Sequence, residues 1–268
     1  MTIAEVCKAI ESVDAEILLA ALLQKERAWL LAHPEYILKH AEEKVMRVWL
    51  CKYAEGMPVA YIRGWQLFYG RKFVVSQDVL IPRPSTETLV EHALSMLCDA
   101  REGVQKADEG IVTYARVFRP MTPSYVLDVG TGSGCIAITL ASERQSLRCI
   151  ATDISAAALR VAQENAERFS VKNRIVFHEG NLLEPVQGFT EPFLLVSNPP
   201  YIASTTMLDS SVMDFEPHKA LFAGTQGTDV LLPLVSSALR HPFCMGIVFE
   251  CCEQQVGTLE AIVNTRPI

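Results

Sequence analysis

The spacing of apolar residues changes character along the chain, and each change marks a different kind of structure. Near the start, "DAEILLAALLQKERAWLLAHPEY" carries Ile17, Leu18, Ala21, Leu22, Trp29 and Leu30 at helical intervals with polar residues between them. Asp14 is placed to cap that helix, and Pro34 reads as a breaker or as the first turn of a new helix. A second amphipathic stripe follows in "EEKVMRVWLCKYAEG", through Val45, Val48, Trp49 and Tyr53, with Gly56 as its stop. These stripes predict a small helical bundle. From Tyr61 to Val79 the texture becomes aromatic and β-branched, and Gly70 in "WQLFYGRKFVVSQDVLI" separates two runs, which predicts a hairpin. A helix restarts in "RPSTETLVEHALSML", with Ser85 or Thr86 near its cap.

Residues Asp99 to Thr122 are charged and weakly periodic, and read as a helix end followed by a surface insertion. Beyond them strands and helices alternate. Strands are expected at Tyr125–Val129, Arg148–Thr152, Arg174–His178, Phe193–Ser197 and Met245–Glu250. Helices are expected near Gly134–Glu143, Ala156–Phe169, Thr228–Leu239 and Glu253–Asn264. That alternation predicts an α/β domain with a doubly wound, mostly parallel sheet. The expected domains are a helical bundle over 1–60, a β-hairpin linker over 61–82 and an α/β domain over 83–268.

Composition narrows the class. Half of the 268 residues are hydrophobic, enough for a sizeable core, and the net charge of -7 argues against broad nucleic-acid binding. No basic segment leads into a long apolar run at the start, and no uninterrupted apolar stretch suggests a membrane span. The eight cysteines are scattered without a C-x-x-C pair, which fits reduced, mostly buried thiols in a cytoplasmic protein; no metal site is expected.

Candidate chemistry collects at strand ends. In "VLDVGTGSGCIAITLA", Gly130, Gly132 and Gly134 permit a tight turn and close approach of a ligand to the backbone, with Asp128 just ahead. Cys135 stands where a dinucleotide fingerprint would place its third glycine, and no Gly-Lys-Ser/Thr follows to make a phosphate loop. Taken alone, the loop is equally a plain turn. The next strand ends in "ATDIS", which puts Asp153 on the rim where such sheets bind ligands. A carboxylate there suits a ribose diol; it also suits an N-cap for the following helix. A nucleoside without phosphates, S-adenosyl-L-methionine (AdoMet), is the ligand these features predict. Asp128 then either orients the loop or meets the ligand's ammonium group.

The fourth strand ends in "VSNPPYI". Its prolines cannot donate ladder hydrogen bonds, so the strand stops there. The side-chain oxygen of Asn198 and the backbone oxygen of Pro199 form a pair of acceptors suited to one –NH2 group. Pro199 and Pro200 stiffen their direction, and Tyr201 offers a flat face for a planar nitrogen. The competing reading is a rigid turn. Beside the glycine loop and Asp153, a methyl-transfer site for a planar amide or amine is favoured, with Asn198, Pro199 and Tyr201 acting on the accepting nitrogen.

These motifs carry a resemblance. The chain resembles the HemK-type methyltransferases that act on a glutamine of peptide chain release factors. The likeness runs through "DAEILLAALLQKERAWLLAHPE", "PVAYIRGWQLFYGRKFVVSQDVLIPRPSTETLVEHAL", the glycine loop, "ATDISAAALRVAQENA", "VSNPPYI" and "FEPHKALFAGTQGTDVL". It implies a Rossmann-like AdoMet-dependent methyltransferase domain behind a substrate-docking bundle. It implies methylation of the side-chain amide nitrogen (N5) of the glutamine in the Gly-Gly-Gln motif of class 1 release factors, with S-adenosyl-L-homocysteine as product. By the same resemblance Gly130, Thr131, Gly132, Ser133, Gly134 and Asp153 bind AdoMet, and Asn198 borders it. Asn198, Pro199, Pro200 and Tyr201 hold the glutamine. Arg83 and Glu87 shape the entrance, Glu216 is structural or site-lining, and His218 lies at the surface.

Several positions depart from that family's pattern. Ser85 replaces an acidic residue, and Asn181 stands where an acid commonly meets the adenine amine, with Leu182 as the apolar wall beside the ring. Val230 replaces a glycine. Little chain follows the last predicted strand, so the final antiparallel hairpin of such sheets is expected to be missing, leaving five strands and an exposed edge. An adenine-N6 methyltransferase acting on DNA or RNA, or a non-catalytic release-factor-binding relative, are the alternatives. The acidic charge and the linker motif count against the first. No membrane or direct nucleic-acid partner is expected.

Overall fold

The computed structural model of the protein describes residues 1–119 and 123–264. The chain divides into two compact units, Met1–Trp65 with Leu208–Phe215, and Gln66–Met207 with Glu216–Ile268.

The first unit is helical: α1 (Ile3–Ala9), α2 (Ser12–Leu23), α3 (Arg27–Ala32), α4 (His40–Ala54) and α5 (Val59–Arg63). Thr2 and Glu5 close a capping box at the start of α1, each satisfying the other's backbone N–H. Asp14 does not cap α2. It sits inside the first turn and accepts a hydrogen bond from the Tyr53 hydroxyl at 2.8 Å, tying α2 to α4. The helical stretch expected from Asp14 toward Pro34 is divided at Gln24, which is left-handed with φ 54°, and Pro34 follows α3 as a breaker in a turn. The helical region also extends further than the sequence pattern indicates, because Tyr61–Arg63 belong to α5. Leu18, Leu19, Leu30 and Met46 form the buried centre of this unit.

A hairpin of β1 (Trp65–Phe68) and β2 (Arg71–Val74), in the second unit from Gln66 onward, makes its own two-stranded sheet. Both turn residues are left-handed, Tyr69 at φ 49° and Gly70 at φ 70°, the combination that a two-residue hairpin turn with native twist requires. The Glu87 carboxylate accepts from the Tyr69 N–H at 2.7 Å and holds that turn. Helix α6 (Ser85–Asp99) follows.

The main sheet contains seven strands among the described residues. They are β3 (Gly103–Asp108), β4 (Ile111–Val117), β5 (Tyr125–Val129), β6 (Arg148–Asp153), β7 (Ile175–Glu179), β8 (Phe193–Ser197) and β9 (Cys244–Cys252), in the spatial order β3-β4-β9-β8-β5-β6-β7. Strands β5 to β9 pair in parallel, as the alternation predicted. The expectation of a five-stranded sheet with a missing hairpin is overturned. An antiparallel hairpin is present, but it precedes the parallel strands: β4 pairs antiparallel with β9, and β3 with β4. The segment read as a surface insertion is that hairpin. Its sequence hides it because β3 is exposed along its length and so lacks an apolar alternation, whereas β4 buries Val112, Thr113, Tyr114 and Ala115 in succession. Residues 120–122 of the segment lie outside the described residues.

Helices α7 (Cys135–Glu143) and α8 (Ala156–Arg168) join α6 on one face, packing Leu89, Met96, Ile138 and Ala166 against Val126 and Val248. The short α9 (Ser210–Phe215) belongs to the first unit. On the other face, α10 (Leu231–Arg240) and α11 (Val256–Val263) pack Leu234 and Leu259 against Leu127, Leu195 and Phe249. All eight cysteines are free thiols; Cys135, Cys149, Cys244 and Cys251 are buried, and Cys51 and Cys98 are exposed. No described helix is long and apolar enough to cross a membrane.

Because Tyr114 is buried in the core shared with α10 and α11, Tyr114→Ala is expected to cost about 3–5 kcal/mol of stability, the scale of an aromatic truncation in a packed core. Urea denaturation measures it. A loss below about 1 kcal/mol would detach the hairpin from the cooperative core.

Candidate active site

Strands β5, β6, β8 and β9 run in parallel, so their carboxyl ends share one rim. A cavity of about 490 Å³ opens there. Gly130, Gly132, Asp153, Asn181, Leu182, Asn198, Pro199 and Pro200 line it, which brings together the glycine loop, the acid of β6 and the Asn-Pro-Pro run. Asp128, Thr131, Ser133, Gly134 and Tyr201 are not part of its wall.

The loop after β5 is held by its own backbone. Gly130 and Thr131 donate to the Thr152 carbonyl at 2.8 and 3.0 Å, and the Gly132 N–H donates to the Asp153 carboxylate at 2.9 Å. Gly130 and Gly132 are left-handed, at φ 73° and 54°, and a Cβ on either would meet nothing within 4 Å. The space over the loop is thus open. Asp128 lies beneath, fully buried, accepting from the Thr131 hydroxyl at 2.7 Å and the Ala137 N–H at 3.1 Å through one oxygen, while its Oδ1 lacks a partner. Of its two sequence readings, this arrangement matches orientation of the loop. Burial pushes the Asp128 carboxyl up to about 7 against the pull of those two hydrogen bonds.

Asp153 faces the cavity while each of its oxygens accepts one backbone N–H, from Gly132 and from Ser155. The cap of α8 is Ser155, whose hydroxyl accepts from the Ala158 N–H at 3.2 Å. Asp153 therefore is not the cap, and its carboxylate keeps acceptor capacity toward the cavity for a diol. Burial raises its pKa, offset in part by hydrogen bonds from Gly132, Ser155 and Ile154. Past β7, Leu182 takes a left-handed φ of 49° and its carbonyl accepts from Thr152, which sets the Asn181–Leu182 wall.

The Asn-Pro-Pro-Tyr run is anchored from outside the cavity. The Asn198 amide nitrogen donates to the Thr86 hydroxyl at 2.9 Å, and Thr86 donates to the Glu250 carboxylate at 2.8 Å. The Tyr201 hydroxyl donates to the other Glu250 oxygen at 2.8 Å. Thr86 is thus no helix cap; it is buried and points its hydroxyl into the sheet rim. Burial raises the Glu250 pKa, countered by hydrogen bonds from Tyr201, Thr86, Asn198 and Ser85. Gln255 donates to the Tyr201 and Gly227 carbonyls, at 3.1 and 2.9 Å. Neither Thr86 nor Glu250 entered the sequence reading as a site residue. The available signal was an acid closing an otherwise apolar strand in "GIVFECC" at the ligand-binding rim.

Arg83 and Glu87 stand outside the cavity wall. Arg83 pairs with the buried Glu216 at 2.5 Å, whose second oxygen accepts from the Ile81 N–H at 3.2 Å, so Glu216 is a tie between two loops. His218, read as a surface residue, is exposed and also lines the cavity, as does Val230. The residues Asp78, Val79 and Leu80 after the hairpin complete the wall; sequence reasoning gave them no role. Among the described residues no group of three or more His, Cys, Asp or Glu is placed to hold a metal ion.

A sheet of this topology with a glycine loop and a rim acid is a Rossmann-like, AdoMet-dependent methyltransferase domain. Residues 103–239 match the methyltransferase small domain, and residues 4–64 match the PrmC N-terminal domain. The chain belongs to the release factor glutamine methyltransferase family. It is 42% identical to the release factor glutamine methyltransferase of Xylella fastidiosa strain Temecula1, over 87% of this chain and 76% of that one. It is 41% identical to the protein of that name from Bacillus subtilis strain 168, over 82% of this chain and 70% of that one. The fold also resembles the hMettl16 catalytic domain solved with an RNA hairpin, at TM-score 0.51 and 12% identity over 88% of this chain and 87% of that one. AdoMet is the methyl donor, and the open glycine cradle and the cavity-facing Asp153 carboxylate fit it.

Asp153→Ala is expected to weaken AdoMet binding by about 1–3 kcal/mol, the scale of a lost charged hydrogen bond. Calorimetry on the folded variant reads it, and unchanged affinity would remove Asp153 from the site. Asp128 is an acid whose folded-state pKa is raised, so between its ordinary 3.8 and about 7 the folded chain binds more protons than the unfolded one. Stability therefore falls as pH rises through that window and levels off above it. Asp153 and Glu250, also raised, act in the same sense. Denaturation of the ligand-free protein across pH is expected to show this slope, and Asp128→Asn to flatten it.

Proposed function

We propose that this chain transfers the methyl group of AdoMet to the side-chain N5 of the glutamine in the Gly-Gly-Gln motif of class 1 peptide chain release factors, in the cytoplasm. The observation that carries the reading is that Asn198 and Asp153 line one cavity, so an acceptor for a planar amide and an acceptor for a ribose stand on the same rim. The names of the relatives supply the substrate class. We assign docking of the substrate protein to the helical unit, and to the rim residues Asn198, Pro199, Pro200 and Tyr201 their roles toward the glutamine.

Bound AdoMet supplies an electrophilic methyl on a sulfonium. The residues of the chain have a narrower task. A glutamine amide nitrogen is a poor nucleophile because its lone pair is shared with the carbonyl. The Asn198 Oδ1 and the Pro199 carbonyl, accepting from its two N–H groups, raise electron density on nitrogen and hold it in line with the methyl. Positioning of this kind lowers the barrier substantially. As the N–C bond forms and the C–S bond breaks, the nitrogen becomes acidic and loses its proton to solvent, so no strong base is needed beforehand. The adenine-N6 alternative shares the acceptor geometry, but a net charge of -7 disfavours a nucleic-acid substrate. Direct nucleic-acid binding forms no part of the proposal.

Asn198→Ala is expected to lower the single-turnover rate by about two to three orders of magnitude, as for loss of a preorganised polar group, with AdoMet affinity largely kept. Labelled AdoMet with a release factor and its Gln→Ala form gives the readout. Label that persists on the Gln→Ala factor, or an Asn198→Ala rate close to the parent's, would refute the proposal.

A further inference from the structure

The reading above needs the oxygen of the Asn198 amide, rather than its nitrogen, to serve the substrate. Oxygen and nitrogen of an amide have nearly the same shape, so something must choose between them. The choice is made by the hydrogen-bond chain behind it. Glu250 is fully buried on β9, and its two oxygens accept from Thr86 and from Tyr201. A carboxylate accepts only, so the single hydroxyl hydrogen of Thr86 is committed to Glu250. Thr86 then has lone pairs alone to offer Asn198, 2.9 Å away. Only the amide nitrogen satisfies that contact; a flipped amide would set oxygen against oxygen with no hydrogen between them. Nδ2 is therefore spent on Thr86, and Oδ1 is left for the cavity that Asn198 lines.

We infer that Thr86 and Glu250 are positioning residues that fix the flip of the Asn198 amide and thereby make the site select an N–H-donating group, an amide or amine nitrogen, over a carboxylate of the same shape. The inference rests on the proposed amide-methylating function. Glu250 is the origin of the polarity and Thr86 the relay. Tyr201, held by the other Glu250 oxygen, ties the far end of the same tetrapeptide to the same carboxylate.

The substitutions separate polarity from packing. Thr86→Val keeps the shape and removes the relay, so the amide is free to rotate. Thr86→Ser keeps the relay. Glu250→Gln keeps the shape but replaces one accepting oxygen by an –NH2 group, which can donate to Thr86. Thr86 can then donate to Oδ1, which turns the amide nitrogen toward the cavity. Single-turnover transfer to a release factor at saturating AdoMet is expected to slow about 10–100-fold in Thr86→Val, the cost of a misplaced reacting group. Thr86→Ser is expected to stay within about threefold of the parent and Glu250→Gln to slow at least as much as Thr86→Val. Thr86→Val with Glu250→Gln is expected to be no slower than Thr86→Val alone, because both act through one chain. AdoMet affinity, measured on each variant, is expected to hold. Independently of turnover, the ¹⁵N side-chain resonance of Asn198, assigned by its loss in Asn198→Ala, is expected to be protected from exchange in the parent and in Thr86→Ser but not in Thr86→Val. A Thr86→Val rate within twofold of the parent, an equal loss in Thr86→Ser, or an additive double variant would overturn the relay. Should Thr86→Val lose AdoMet binding through misfolding, parent-like turnover in Glu250→Gln or an unprotected Asn198 amide in the parent would overturn it. No transfer by the parent to the factor's glutamine would instead refute the proposed function, while the resonance still decides the orientation of the amide.

Discussion

A strand buried on both faces must find ladder partners along both edges, and β9 sets that demand for this protein. Its residues from Cys244 to Cys251 are sealed from solvent, so unpaired N–H and C=O groups there would be costly. One edge is met by β8 in parallel; the other is met by β4, from a hairpin earlier in the chain. The arrangement holds the functional rim. Residue pairing along β4 and β9 sets Thr113 opposite Glu250, and the paired strand delivers that carboxylate to Thr86 and Tyr201. Without a second partner for β9, the buried acid that anchors the Asn-Pro-Pro-Tyr run would sit on an open edge.

A second clamp works from the opposite side of the glycine loop. Asn165, buried on α8, accepts from the Val74 N–H at 2.8 Å and donates to the Val74 carbonyl at 3.0 Å and the Ser133 carbonyl at 2.9 Å. A single side chain thereby joins the outgoing strand of the small hairpin to the glycine loop. The chain that leaves that hairpin then runs through Asp78, Val79 and Leu80 on the cavity wall. Gly134 takes part as well: a Cβ there would come within 2.7 Å of Ile138 and 3.2 Å of Ala162, so helix and loop pack as closely as they do only over a glycine.

The central parallel strands β5, β6, β8 and β9 were legible because they are buried on both faces and read as continuous apolar runs, and the ends of β6 and β8 carried Asp153 and Asn198 in plain view. The small hairpin was legible from Gly70 between two aromatic and β-branched runs. What escaped notice has a common cause. Strand β3 faces solvent, so nothing in its residues alternates. Thr86 and Glu250 act through a contact between positions 164 apart in sequence, and no local pattern records such a contact. Tyr201 was read for its ring, but its hydroxyl is the part the structure uses on Glu250. Helix α5 was hidden by its β-branched and aromatic residues, whose burial in the first unit outweighs their weak helix propensity.

The position of β9 also bears on how the molecule is made. It is the last strand among the described residues yet lies in the interior of the sheet, between β4 and β8. During synthesis the hairpin β3–β4 and the group β8-β5-β6-β7 emerge first, as two fragments that share no ladder. The ladders that join them cannot form until β9 has been made. Closure is thus a late, long-range event, of the kind that folds slowly and exposes its intermediates to mispairing. The Glu250 carboxylate meets Thr86 and Tyr201 only once β9 is in place, so the anchor of the Asn-Pro-Pro-Tyr run depends on that long-range insertion.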